Sequence, residues 1–147
     1  MPTTSRKAPP LFTVGYEGRA LDELLAILSA ESIDCVIDIR ELPLSRRRGF
    51  SKTPLGTALR SVGIDYVHMR SAGNPYRREK DSIPRDKLLA KYAKHIAKAE
   101  PIVDDVVKVA RGKRAALLCY EHEPADCHRS LLAPRVAAKL KTKVHDL

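Results

Sequence analysis

Residues 115–130 read Ala-Ala-Leu-Leu-Cys-Tyr-Glu-His-Glu-Pro-Ala-Asp-Cys-His-Arg-Ser, and their order decides the fold. Ala115 to Tyr120 is a short, continuously apolar run, the pattern of a strand buried on both faces rather than one. Glu121 to Asp126 interrupts it with charge and a proline, and helical spacing resumes from Ser130 to Leu140. A strand of this kind followed at once by a helix belongs to a parallel sheet covered by helices.

The same alternation extends outward in both directions. Leu11-Phe12-Thr13-Val14 is a β-prone run stopped by Gly15 and Gly18, and Leu21, Leu24, Leu25, Ile27 and Leu28 recur at helical spacing after it. Cys35 to Arg40 is a second strand, nearly all apolar until its end, and Pro43 opens a long basic loop. Residues 53–62 read as a helix and Asp65 to Met69 as a third strand. A loop from Ala72 to Pro84 follows, of a length often tied to function. Helices through Leu88–Ala97 and Ile102–Ala110 precede the Ala115 strand, and Lys143 to His145 is a short last strand. The expected fold is α/β: one compact domain over 11–147, with a mostly parallel sheet of about five strands flanked by helices. Residues 1–10 are expected to form a flexible tail.

Composition narrows the class. The chain has 147 residues, 44% hydrophobic and 31% charged, which excludes a disordered or fibrous chain. No apolar run approaches the ~20 residues of a bilayer span. Residues 1–10 hold no apolar stretch of the kind that directs export, so a cytoplasmic setting and reduced thiols are expected for Cys35, Cys119 and Cys127. The net charge is +9, and residues 40–85 carry eleven Lys/Arg against four acids. Such a concentrated positive field attracts anions, so the expected partner is an anionic ligand, a nucleotide or nucleic acid, and not a membrane.

Ligands of parallel sheets sit at the carboxyl ends of the strands, and the unusual residues of this chain cluster there. Asp126 reads as the N-cap of the last helix, which places Cys127, His128 and Arg129 on its first turn, where helix N–H groups favour negative charge. Cys127 is then expected to be a thiolate nucleophile, with His128 as acid or base and Arg129 clamping an anion. Glu17 and Glu121 are carboxylates suited to proton transfer. Asp38 and Arg40 share one face of their strand. Ser45 and Arg46 open the run Arg46-Arg47-Arg48-Gly49-Phe50, a phosphate clamp in which Phe50 can stack on a base. Tyr16 and Cys119 complete the binding side. Cys119, His122, Cys127 and His128 are a zinc-type donor set. Their spacing meets the usual pairing only in part, and neighbours on one helical turn point apart, so no cofactor is expected and zinc is the lesser reading. Neither GxGxxG nor GxxxxGK[ST] occurs, which removes the dinucleotide and P-loop readings.

Three ordered motifs then carry a resemblance: Gly15-Tyr16-Glu17-Gly18; Asp38-Ile39-Arg40-x-x-Pro43-x-Ser45-Arg46-x-x-Gly49-Phe50; and Cys119-x-Glu121-x-x-Pro124-x-x-Cys127-His128-Arg129. In these, over nearly all of residues 11–147, the chain resembles the domain-of-unknown-function family 488. The resemblance implies matched polar positions around a strand-end pocket and names no reaction. The family carries a Gly-Gly step after the third strand, where this chain reads Ala72-Gly73-Asn74. The leading functional expectation is an enzyme acting on a phosphate-bearing substrate, with cleavage of an N-glycosidic bond by the carboxylates as a variant. A non-catalytic nucleic-acid-binding module using the Arg40–Arg85 region is the alternative.

Overall fold

The computed structural model describes residues 8–147. Five strands, β1 (Leu11–Gly15), β2 (Cys35–Asp38), β3 (Asp65–His68), β4 (Ala115–Cys119) and β5 (Val144–Asp146), form one sheet in the order β3-β2-β4-β1-β5, every pairing parallel. The expected parallel sheet is thus present in full. β4 lies at its centre, as its unbroken apolar sequence requires. Strand alternation divides the interior in two. Leu11, Cys35, Ile37, Leu117 and Cys119 face one layer, while Phe12, Val14, Val36, Ala116 and Leu118 face the other.

Five helices cover the two faces. On one side, α1 (Leu21–Ala30) buries Leu24 and Leu28, and α2 (Lys52–Ser61) buries Leu55 and Leu59. On the other, α3 (Arg85–Ala97) contributes Tyr92 and Ile96, α4 (Glu100–Ala110) contributes Val103 and Val106, and α5 (Arg129–Leu140) contributes Leu132 and Val136. The loops after β1 and β2 therefore leave toward one face and those after β3 and β4 toward the other. Because β4 sits between β1 and β2, loops of opposite direction part at the centre of the sheet, and a crevice opens at its carboxyl edge.

Element ends shift by a residue or so at several places, and two of the differences bear on the carboxyl edge. β2 stops at Asp38, since the chain turns so that Arg40 can fold back onto the Asp38 carboxylate. The last helix starts at Arg129, because Pro124–Asp126 form a separate 3-10 turn and Cys127 is extended, with φ −120° and ψ 145°. Residues 1–7 of the expected tail lie outside the described residues. Of the rest, Pro9 offers its carbonyl to the Thr142 hydroxyl at 2.8 Å, so this part is tied to the domain. Gly73 keeps the one place in the Ala72-Gly73-Asn74 step where a side chain does not fit: a Cβ there would lie 2.4 Å from the Glu41 backbone nitrogen.

Candidate functional site

The carboxyl edge is built on two buried guanidinium groups. Arg40 lies 5% exposed over Asp38, which is fully buried. Its Nε donates to Asp38 Oδ1 at 2.9 Å and its Nη2 to Oδ2 at 2.7 Å, a two-pronged pair. Its Nη1 donates to the Tyr16 hydroxyl at 3.1 Å and to the Phe50 carbonyl at 2.6 Å. Tyr66 donates its hydroxyl to Asp38 Oδ2 at 2.5 Å, and Phe50 stacks on Tyr16 with ring centres 4.5 Å apart. Burial works against the Arg40 charge, but the Asp38 hydrogen bonds and charge outweigh it and hold the guanidinium above its ordinary pKa. Burial, then the Asp38 hydrogen bond, pushes the Tyr66 phenol above its ordinary range as well.

Arg129 is the second anchor and is fully buried. Its Nε donates to the Thr13 hydroxyl at 3.2 Å, its Nη1 to the Glu121 carbonyl at 2.5 Å and its Nη2 to the His122 carbonyl at 3.1 Å. These bonds draw the loop after β4 across the end of β1. Gly15 makes room for it, since a Cβ there would sit 1.8 Å from the Glu121 carbonyl oxygen. Glu17 fastens the same loop by accepting from the His122 backbone N–H at 3.0 Å.

Between the anchors lies a buried cluster of Cys119, Cys127 and His128. His128 Nε2 is 2.9 Å from the Ile39 carbonyl, an acceptor only, so Nε2 carries a proton, and in the neutral ring Nδ1 presents its lone pair to the sulfurs. Cys119 Sγ and Cys127 Sγ each lie 3.7 Å from that Nδ1. The Tyr92 ring packs edge-on against the imidazole. Glu121 Oε2 lies 3.6 Å from Cys119 Sγ.

A cleft of about 1200 Å³ opens above this floor. Arg46 and Ser45 reach it from the loop after β2, Arg77 and Lys80 from the segment before α3, and Tyr120 and Glu121 from the loop after β4. Among the described residues, the side chains of Arg46, Arg77 and Lys80 have no hydrogen-bond or ion-pair partner. Arg85 pairs with Asp126 at 3.2 Å, both partly exposed. Leu42, Leu44 and Tyr120 present apolar surface at 43%, 62% and 43% exposure, an unusual concentration on a cleft wall.

The structure brings Tyr16, Arg40, Ser45, Arg46, Cys119, Glu121 and His128 to this cleft, and it corrects several expected roles. Asp126 does not cap α5. His128 holds the N-cap position without a side-chain cap bond, and the sulfur of extended Cys127 accepts the Arg129 backbone N–H at 3.5 Å. Cys127 is not a low-pKa thiol on a helical turn: burial, then its neighbour Cys119, pushes it well above the ordinary thiol range, and His128 offsets this only in part. Arg129 is committed to the protein interior and cannot clamp a ligand. Arg40 touches the cleft but spends its fork on Asp38. Phe50, 1% exposed and stacked on Tyr16, is not free to stack on a base. Asp38 is likewise sealed in its ion pair, and Glu17 does not line the cleft. His122, one of the four donors in the zinc-type set, is exposed and apart from the other three.

Sequence reasoning missed Asn74, Arg77, Lys80 and Arg85 as individual wall residues. The only signal was collective, in the basic excess of residues 40–85 and the long loop after β3.

The fold and site together define a parallel α/β domain with a cationic, partly apolar cleft at the carboxyl edge of its sheet. The chain belongs to the family described as "Domain of unknown function DUF488", whose model matches residues 20–136. No curated protein and no solved structure matches it.

Proposed function

We propose that this protein is an enzyme acting on a phosphate-bearing substrate, a nucleotide or nucleic acid, in the cleft at the carboxyl edge. The observation that carries this reading is the set of unpartnered cations, Arg46, Arg77 and Lys80, on walls that also hold Leu42, Leu44 and Tyr120. Cations without acceptors suit phosphate oxygens, and an exposed apolar wall beside them suits a base. Inorganic phosphate alone uses only the first feature. Glu121, between the cleft and Cys119, is the carboxylate placed to move a proton to or from the bound substrate. Arg40 and Arg129 support the site from below and hold its loops in place.

Fluorescence anisotropy with a labelled nucleotide and with a labelled single-stranded oligonucleotide tests the binding half. Arg77→Ala is expected to weaken binding about tenfold, as loss of a charge-assisted hydrogen bond does. Product analysis by mass spectrometry tests the chemical half. Glu121→Gln is expected to abolish turnover while leaving affinity within a few-fold. Binding that falls steeply with salt, carries no turnover and is indifferent to Glu121→Gln identifies a nucleic-acid-binding module instead.

A further inference from the structure

The edges of the Cys119–Cys127–His128 cluster have a chemical meaning beyond packing. A tetrahedral ion bound at about 2.3 Å to sulfur and about 2.0–2.1 Å to nitrogen holds such ligand atoms about 3.5 Å apart. Here both S···Nδ1 edges are 3.7 Å, and all three donor atoms lie within 4.8 Å of one another. We propose that Cys119, Cys127 and His128 are the protein ligands of a thiolate-preferring divalent cation of the zinc class, with its fourth position open to the cleft.

The surroundings fit a ligand set. The Ile39 carbonyl takes the Nε2 proton of His128 at 2.9 Å, which fixes the tautomer that leaves Nδ1 free to coordinate. The Arg129 backbone N–H points at Cys127 Sγ, where it stabilises charge on a coordinated sulfur. The objection that neighbours on a helical turn diverge disappears, because Cys127 is extended and its sulfur and the His128 ring turn to the same side. Cys119 and His128 both line the cleft, which supplies an entry path, and Glu121 stands beside it. Three protein ligands with an open position mark an ion that meets a water or substrate oxygen, whereas a purely structural ion is closed by four. The ion site goes beyond the phosphate reading and stands without it: metal uptake and nucleotide binding are separate measurements, and either can fail alone.

Untagged protein, stripped with chelator and kept reduced, is to be titrated with Co²⁺ and followed by absorption. The expected result is one equivalent taken up, with visible bands of tetrahedral intensity and a near-ultraviolet thiolate charge-transfer band, both bleached by Zn²⁺. Cys119→Ser and Cys127→Ser should each lose the stoichiometric step, while Cys35→Ser, at the opposite end of β2, should retain it. Circular dichroism establishes that each variant is folded, and the wild-type titration decides the matter should one fail to fold. Absence of a stoichiometric step in the wild type, uptake without a charge-transfer band, or a step unchanged in folded Cys119→Ser overturns the proposal. So does ready formation of a Cys119–Cys127 disulfide in a protein that takes up no ion.

Discussion

Two pairs of arginines at the same edge of the sheet have opposite relations to solvent. Arg40 and Arg129 are buried, and between them they hold a carboxylate, two hydroxyls and three backbone carbonyls. Arg46 and Arg77 stand on the cleft walls and hold no partner among the described residues. The planar fork of guanidinium serves both uses, because it can satisfy several loop acceptors at once or present paired donors to an incoming phosphate. The arginines within the most motif-like sequence, Asp38-x-Arg40 and Cys127-His128-Arg129, are mainly those that hold the floor together. Those placed to meet a ligand lie largely in plainer sequence.

The comparison breaks first on stability. Asp38→Ala leaves Arg40 as an uncompensated buried charge and is expected to cost about 3–5 kcal/mol. Arg46→Ala, at an exposed position, and Arg77→Ala, at a partly exposed one without a partner, should stay within about 0.5 kcal/mol. Urea unfolding followed by circular dichroism measures both, and equal losses would erase the distinction. Next in size is Arg129→Met, which keeps the apolar stem but strips the Glu121 and His122 carbonyls of their donors. An expected loss of about 1–3 kcal/mol follows from leaving such groups unpaired. Its thermal midpoint should fall clearly, while that of Arg46→Ala should not move.

These differences explain how far the sequence could be read. The sheet was legible because burial on both faces writes itself as unbroken apolar runs, as in Ala115–Cys119 and Cys35–Ile39, and hidden strands tolerate little else. The carboxyl-edge location followed from the same logic. Roles within the edge were harder. Asp126, followed by Cys127-His128-Arg129, has the local chemistry of a helix start, yet Pro124 closes a 3-10 turn that delays the helix. That delay of a few residues turns Cys127 from an exposed-type nucleophile into a buried neighbour of Cys119 and His128. Arginine burial was equally invisible locally, since it depends on Tyr16, Phe50 and Thr13, which are remote in sequence. Arg77 and Lys80 carry no motif, and only the folding of the segment before α3 over the sheet edge brings them to the cleft.

The interior and the cleft should also differ in their response to alkali. Burial holds Cys35 and Tyr92 above their ordinary pKa values, and burial with the Asp38 hydrogen bond does the same for Tyr66. Each is an acid whose neutral form is favoured by folding. Its contribution is complete below the unfolded pKa and is lost as pH rises toward the folded one, because the unfolded chain releases its proton first. Stability is thus expected to decline above about pH 8.5 for the thiol and more steeply above about pH 10 for the phenols. Urea midpoints between pH 7.5 and 10.5 check this, and Tyr66→Phe should flatten the upper part. The same profile in Arg77→Ala should overlay that of the wild type, since Arg77 makes no hydrogen bond or ion pair with any of these three groups.

The smallest expected effect concerns a paired cation on the cleft wall. Arg85 faces Asp126 at 3.2 Å across partly exposed surface, and such pairs contribute about 0–1 kcal/mol. Asp126→Asn should therefore leave the unfolding midpoint almost unchanged. It removes a negative charge from the cleft and releases Arg85, so nucleotide affinity is expected to rise a few-fold. The gain should shrink as salt is added, because exposed charges are screened over about 8 Å near physiological ionic strength. The sign is what matters. A rise places Arg85 with Arg46, Arg77 and Lys80 as a ligand-facing cation held in reserve by its partner. A fall means that Asp126 itself contacts the ligand, and the wall then reads as a mixed donor and acceptor surface suited to a base edge as much as to a phosphate.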